Sequence, residues 1–206
     1  MLERTLVSAR GAEEFLHDTG LGRDAAVEVI VVDGGSSDDT PAVAGRFLCD
    51  EPGWRLVRRE EASSPSCARN TGVAASQGDW LFFLDGDDLY LPMHLAACLK
   101  AVDAGGCDFV KTGVRLADPV HPDWKPRMAF SIVINLCIRR SCHDFIGGFP
   151  DYHLCRWAVG AAATPFEDSG CATQDGEGRE TCAEPAGPRK NGIIVGVACM
   201  DWVRSA

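Results

Sequence analysis

Gly78-Asp79-Trp80-Leu81-Phe82-Phe83-Leu84-Asp85-Gly86-Asp87-Asp88-Leu89-Tyr90-Leu91-Pro92 is the stretch on which the reading of this chain turns. Trp80 to Leu84 is a short, uninterrupted apolar run, the pattern of a strand buried on both faces of a parallel sheet. Asp85, Asp87 and Asp88 then crowd a turn at the strand's carboxyl end. Pro92 marks the opening of a helix, where its missing N–H costs nothing. Three carboxylates repel one another unless a cation sits among them. A hard divalent ion that completes its shell with substrate phosphates fits such a turn. The plainer reading is a solvated acidic turn, since Asp and Gly favour turns in any case. In an open α/β sheet, ligands bind beyond the carboxyl ends of the strands, where this turn falls.

Composition narrows the classes. A chain of 206 residues suits one domain, or one domain with an appendage, and an apolar fraction of 46% is enough for a core. A net charge of −10 argues against a nucleic-acid partner. It does not exclude a phosphate ligand, because a bound cation reverses the local sign. The ten cysteines are scattered and form no CxxC, which weakens a zinc reading. They read as free thiols in a reducing cytoplasm. No signal-peptide pattern and no stretch of membrane-span length is seen, which leaves association with a membrane surface open.

Outward from the central stretch, Glu28 to Val32 is a β-branched run and a second buried strand. Asp33-Gly34-Gly35-Ser36-Ser37-Asp38-Asp39-Thr40 follows at its end, with Asp39 or Thr40 placed to cap a helix starting at Pro41. That loop alone reads as an ordinary strand-to-helix connection, and it lacks the GxGxxG fingerprint of dinucleotide folds. Met1 to Arg10 reads as a short helix, with Gly11 to Ala26 as a turn and a second helical piece. Trp54 to Arg58 reads as a strand. Ser64 starts a helix that carries Arg69 and stops near Gly78. Arg69 in the early turns of that helix is opposed by the helix dipole. Either an anionic ligand or a neighbouring carboxylate explains it. Leu95, Cys98, Leu99 and Val102 form the core face of the next helix, which Gly105-Gly106 ends. Strands are expected over Asp108 to Thr112 and within Phe130 to Ile138, and Leu116 to Arg127 reads as a loop. From Ser169 the character changes: Ser169 to Lys190 is rich in Gly, Pro and charge without periodicity. Ile193 to Val203 could form a last strand, with no evident partner.

With these residues in hand, the chain resembles the family 2 glycosyltransferases of the GT-A fold. The blocks that carry the resemblance stand in the family's order. Glu28 to Asp38 is similar to its second strand and nucleotide loop. Ser66-Cys67-Ala68-Arg69-Asn70-Thr71-Gly72 is similar to its ARNxG helix, and Trp80 to Pro92 to its DxD segment. Arg139-Arg140 with Ile146-Gly147-Gly148-Phe149 is similar to its RR…GGF block, and Glu167-Asp168 to its ED pair. Each block is modest; the ordered series is specific. The resemblance covers residues 1–168 and leaves 169–206 as an atypical, poorly ordered tail. It implies an open, mostly parallel sheet flanked by helices. The reaction it implies is inverting transfer of a sugar from a nucleotide-diphosphate donor, taken as a UDP-sugar, to a saccharide, lipid-linked or protein hydroxyl. Asp168 would be the general base and Glu167 its helper. Asp33, Gly34, Ser36, Arg69, Asp85 and Gly86 would hold the nucleotide-sugar, and Asp87 with Asp85 would hold Mg²⁺ or Mn²⁺.

Two departures set rival expectations. Family members begin with a strand ahead of the first helix, and this sequence starts at the helix; past Glu167-Asp168 the family's apolar helix is missing. Together they suggest a fragment or a disrupted frame: an inactive remnant with an exposed sheet edge, partial nucleotide affinity and a tail foreign to the fold. A haloacid-dehalogenase-like phosphatase also opens with a strand and DxD. It would place Thr or Val where Leu89 stands, and it leaves the Ala-Arg-Asn and Gly-Gly-Phe blocks unexplained.

Overall fold

The computed structural model describes residues 1–21, 26–49, 51–59, 64–115 and 133–150, and the backbone of 173–174, 180–181 and 192–199. In chain order the elements are α1 (Leu2–Asp18), β1 (Ala26–Asp33), α2 (Thr40–Leu48), β2 (Trp54–Arg58), α3 (Pro65–Ala75) and β3 (Trp80–Asp85). Then come α4 (His94–Gly105), β4 (Phe109–Lys111), β5 (Leu136–Arg139), α5 (Arg140–Phe145), β6 (Thr173–Gln174), β7 (Glu180–Thr181) and β8 (Gly192–Cys199). β6 and β7 pair only with each other; the other strands form one sheet in the order β2-β1-β8-β3-β5-β4. β2, β1, β8 and β3 are parallel, and β5 is antiparallel to β3 and β4.

Period-2 alternation sorts the strand residues onto two faces. Val29 and Val31 of β1, with Phe82 and Leu84 of β3, join a core formed with α1, α2 and α4. Ile30 and Val32, with Leu81 and Phe83, face α3 and the segment around Phe149. The run Trp80 to Leu84 is therefore buried from both sides, as its unbroken apolarity requires.

Local signals were mostly legible. Ser64 caps α3, accepting from Cys67 N at 3.2 Å, and Pro65 follows it. Gly106 ends α4 in the left-handed region at φ 59°, which glycine reaches without a Cβ penalty. Four expectations need correction. Gly11 does not break α1: Leu6, Ala9, Ala12 and Leu16 continue one buried stripe through it, and a Cβ there would meet nothing within 4 Å. The start of α2 is held by Asp38, whose Oδ1 accepts from Thr40 N at 2.9 Å, while Asp39 makes no side-chain cap bond. α4 begins at His94, two residues past Pro92. The strand within Phe130 to Ile138 begins only at Leu136 and runs to Arg139.

The largest correction concerns the end of the chain. β8 lies in the middle of the sheet, paired along its length with β1 and with β3. The stretch expected to lack a partner has two. The loop expected over Leu116 to Arg127 lies outside the described residues. Among the described residues no helix is long and apolar enough to cross a membrane.

Candidate active site

The parallel strands end together. Arg58 of β2 stands opposite Asp33 of β1, Asp33 opposite Cys199 of β8, and Ala198 of β8 opposite Asp85 of β3. One edge of the sheet thus collects the residues the sequence singled out for the donor.

On the β1 side, Asp33 is 1% exposed. Its Oδ1 accepts from Ser36 N at 2.9 Å, closing the loop back on the strand end. Its Oδ2 stands 3.3 Å from Arg58 Nε, an ion-pair distance without hydrogen-bond alignment. The Asp33 carbonyl accepts from Arg59 N at 3.0 Å. Gly34 and Ser36 are buried beside it. Gly35, Ser36, Arg58 and Arg59 line an open cleft of about 540 Å³, within the usual size of small-molecule sites. Arg58 was read only as the end of a strand and Arg59 was not singled out; the signal that could have found them is a pair of cations closing a strand at the ligand-bearing edge.

On the β3 side, Arg69 donates from Nη2 to Asp85 Oδ1 at 2.7 Å, and its side chain is only 13% exposed. The carboxylate left open by the sequence is therefore present. A short charge-assisted pair of this kind fixes both side chains. Ser36 Oγ, Arg59 Nε and Arg69 Nε are buried and find no hydrogen-bond partner among the described residues. Unsatisfied buried polar atoms cost about 1–3 kcal/mol each and call for explanation. Three of them near one sheet edge suit a polar ligand.

The acidic turn is held from behind by α1. Thr5 Oγ1 donates to the Gly86 carbonyl at 2.9 Å, and Ser8 Oγ accepts from Tyr90 N at 3.1 Å. Tyr90 is buried and donates to the Phe83 carbonyl at 2.7 Å. Asp88 N closes the turn on the Asp85 carbonyl at 3.1 Å. Asp87 is left exposed at its tip. Burial, and then the charges of Asp87 and Asp85, push the Asp88 carboxyl up to about 6. That crowding of negative charge is the feature a cation relieves. Among the described residues no three His, Cys, Asp or Glu side chains converge as a ready-made metal cluster. The donor set fits an ion of the Mg²⁺ or Mn²⁺ kind, which takes one or two carboxylates and fills its shell with phosphate and water.

Two further motif blocks act on each other. Asn70 of α3 donates from Nδ2 to the Phe149 carbonyl at 2.8 Å and accepts from Phe149 N at 3.0 Å. This clasp joins segments 79 residues apart and sets Phe149 edge-on to Phe83 at 5.0 Å. Gly148 reaches the clasp at φ 76°, and a Cβ there would stand 3.0 Å from Asn70 Oδ1. Gly148→Ala is expected to cost about 1–3 kcal/mol through backbone strain and the lost clasp, read by urea denaturation. Arg140 spans the end of α3 and the entry to β3, donating to Gly78 O at 2.8 Å, Val73 O at 3.1 Å and Ser76 Oγ at 2.7 Å. Arg139 pairs with Asp108 at 2.7 Å and lies over the Trp80 ring. The twin arginines thus tie elements of the scaffold together. Glu167 and Asp168 lie outside the described residues.

Comparison with known proteins agrees with this geometry. The model of the Glycosyl transferase family 2 family matches residues 1–158. The succinoglycan biosynthesis protein ExoO of Rhizobium meliloti (strain 1021) is 39% identical over 97 residues, covering 47% of this chain and 26% of that protein. ExoU of the same organism, also named for succinoglycan biosynthesis, is 33% identical over 117 residues, covering 55% of this chain and 33% of its own. The glycosyltransferase AglE of Haloferax volcanii is 29% identical over 140 residues, covering 61% and 46%. The matches thus span less than half the length of each of these relatives.

Proposed function

The chain belongs to glycosyltransferase family 2, and we propose that it moves a sugar from a nucleotide-diphosphate donor, a UDP-sugar in our reading, to a hydroxyl acceptor with inversion. The observation that carries the reading is the line of residues along one sheet edge: Arg58 against Asp33, then Arg69 against Asp85, with exposed Asp87 just beyond. We assign the transferase domain to residues 1–168, with β8 of the 169–206 segment completing its GT-A sheet.

In this reading the cleft at Gly35, Ser36, Arg58 and Arg59 takes the nucleoside, with Asp33 and Gly34 forming its wall. Arg69 orients Asp85 and has a free Nε–H to offer the nucleotide. Asp85 and Gly86 border the ribose and the diphosphate. Asp87, with Asp85, would hold Mg²⁺ or Mn²⁺. Bound there, the ion would stabilise the negative charge gathering on the leaving diphosphate. The acceptor oxygen attacks the anomeric carbon as its bond to the diphosphate oxygen breaks, and Asp168 takes the hydroxyl proton. Glu167 positions Asp168 or the acceptor. The relatives named for succinoglycan biosynthesis favour a growing saccharide as acceptor over a protein hydroxyl. The free thiols of Cys49, Cys67, Cys98, Cys107, Cys137 and Cys142 suit a cytoplasmic setting, and we place the reaction there, against the inner face of the membrane.

Calorimetric titration of UDP with and without Mn²⁺, on the unaltered chain and on Asp87→Ala, tests the proposal. Binding should need the ion and weaken at least about tenfold in the variant, a change of about 1.4 kcal/mol. Equal affinity without the ion, or in Asp87→Ala, would overturn the metal assignment. If the folded protein binds neither UDP nor another nucleoside diphosphate, the donor reading falls.

A further inference from the structure

Phe149 ends a sharp turn. Gly147 and Gly148 both sit in the left-handed region, at φ 80° and 76°. They close the last turn of α5 by donating to the carbonyls of Asp144 and His143 at 3.1 and 3.0 Å. The turn brings Phe149 against two elements at once. On α3, Asn70 grips its backbone through two hydrogen bonds, at 2.8 and 3.0 Å. On β3, its ring meets Phe83 edge-on, with centroids 5.0 Å apart. The same two elements are bridged again by Arg69 of α3 and Asp85 of β3, at 2.7 Å. Arg69 directly precedes Asn70 in the helix, and period-2 alternation puts Asp85 on the sheet face that Phe83 occupies. The guanidinium carbon of Arg69 consequently lies over the Phe149 ring, 5.7 Å from its centroid, within cation–π range.

Arg69 needs such a support. The helix dipole opposes a cation in the early turns of α3, a long side chain loses rotamer freedom when it is fixed, and its buried Nε has no hydrogen-bond partner among the described residues. We infer that Phe149 is a positioning residue for the donor site: clasped by Asn70 and wedged on Phe83, its ring face holds the Arg69 guanidinium where it aims the Asp85 carboxylate. Phe149 acts through Arg69, not on the ligand. The Asn70 bonds go to the Phe149 backbone, so a leucine there keeps the clasp and most of the bulk. It loses only the π face that faces the cation. The inference rests on the donor reading above for its binding readout, whereas the placement of Arg69 is read without any ligand.

The test compares the unaltered chain with Phe149→Leu, Phe149→Tyr, Arg69→Gln and the double variant of Phe149→Leu with Arg69→Gln. Calorimetric titration of UDP in the presence of Mn²⁺ reads the site. The Arg69 Nε–H signal in a proton–nitrogen correlation spectrum without ligand, assigned by its loss in Arg69→Gln, reads the guanidinium. Phe149→Leu should weaken UDP binding about three- to thirtyfold, the range of a cation–π contact, and move the Arg69 signal toward that of exposed arginines. Phe149→Tyr keeps the ring, so it should bind within about twofold of the unaltered chain and leave the signal in place. Once Arg69→Gln is made, adding Phe149→Leu should cost less than about a further twofold, because the path runs through Arg69. A merely structural role would give the same loss in both backgrounds. That result, or an unchanged Arg69 signal or UDP affinity in Phe149→Leu, overturns the inference. Phe149→Met carries the same expectations if Phe149→Leu does not fold. If the folded proteins bind no UDP, the signal decides. Moved in Phe149→Leu and kept in Phe149→Tyr, it leaves the positioning standing while the donor reading falls; unmoved, both fall.

Discussion

Phe82→Ala is expected to destabilise the protein by about 3–5 kcal/mol, a change large enough to threaten folding. Phe82 is fully buried at the middle of β3. It belongs to the core that α1, α2 and α4 build against the sheet, and its ring meets His94 edge-on at 6.0 Å. Its backbone pairs with Val195 on one side and Cys137 on the other. A sheet centre cannot collapse onto the cavity as a surface helix can, so the cost falls toward the upper part of that range. For a domain of this size each kcal/mol lowers the melting midpoint by about 2–4 °C, so a fall of roughly 10 °C is expected in a thermal scan. Phe82→Leu, which keeps most of the volume, should cost less than half as much. A Phe82→Ala chain melting within a degree of the unaltered one would place this ring outside the core.

Acid should weaken the fold through His94. Burial lowers its imidazole to about 4 from an ordinary value of 6.5. The ring is stacked on Tyr90 at 4.4 Å, and its Nε2 has no hydrogen-bond partner among the described residues. The folded state therefore keeps the ring neutral where the unfolded state has taken up a proton. Stability from this group is complete above pH 6.5 and is lost as the pH falls toward 4. Each pH unit in that window costs about 1.4 kcal/mol, so the loss approaches roughly 3 kcal/mol. His94→Phe keeps a ring against Tyr90 and removes the titration. Urea denaturation of both proteins at pH 7 and pH 4.5 should show a clearly smaller drop for the variant. Equal drops would assign the acid sensitivity elsewhere.

What could be read from the sequence was local. Trp80 to Leu84 announced a doubly buried strand because no polar residue interrupts it, and Ser64 and Gly106 announced helix ends because their chemistry is that of a cap. The ordered motif blocks announced the family because five modest patterns in one order rarely arise by chance. What the sequence hid depends on distant partners. Arg69 was a cation in an unfavourable place until Asp85 stood beside it. Arg58 and Arg59 became candidates for the site only when β2 was seen to end level with Asp33. The twin arginines Arg139 and Arg140 were legible only as part of a motif block, and their hydrogen bonds go to Asp108, Gly78, Val73 and Ser76. Gly11 was taken for a break because glycine is a poor helix former, but about 1 kcal/mol does not stop a helix whose buried stripe continues past it. Gly192–Cys199 has the pattern of a buried strand, and no local pattern says between which strands it belongs.

That late strand also bears on how the protein is made. A ribosome moving at roughly 5–20 residues per second takes several seconds to add residues 151–191 after Pro150. During that interval the nascent chain already contains β1 and β3, but not the strand that will lie between them. Each is left with a row of unsatisfied amides and carbonyls facing the gap, the sort of surface that recruits other chains. Synthesis of this fold therefore passes through a sticky interval, in which a chaperone or a slow pool of unfinished chains decides the yield.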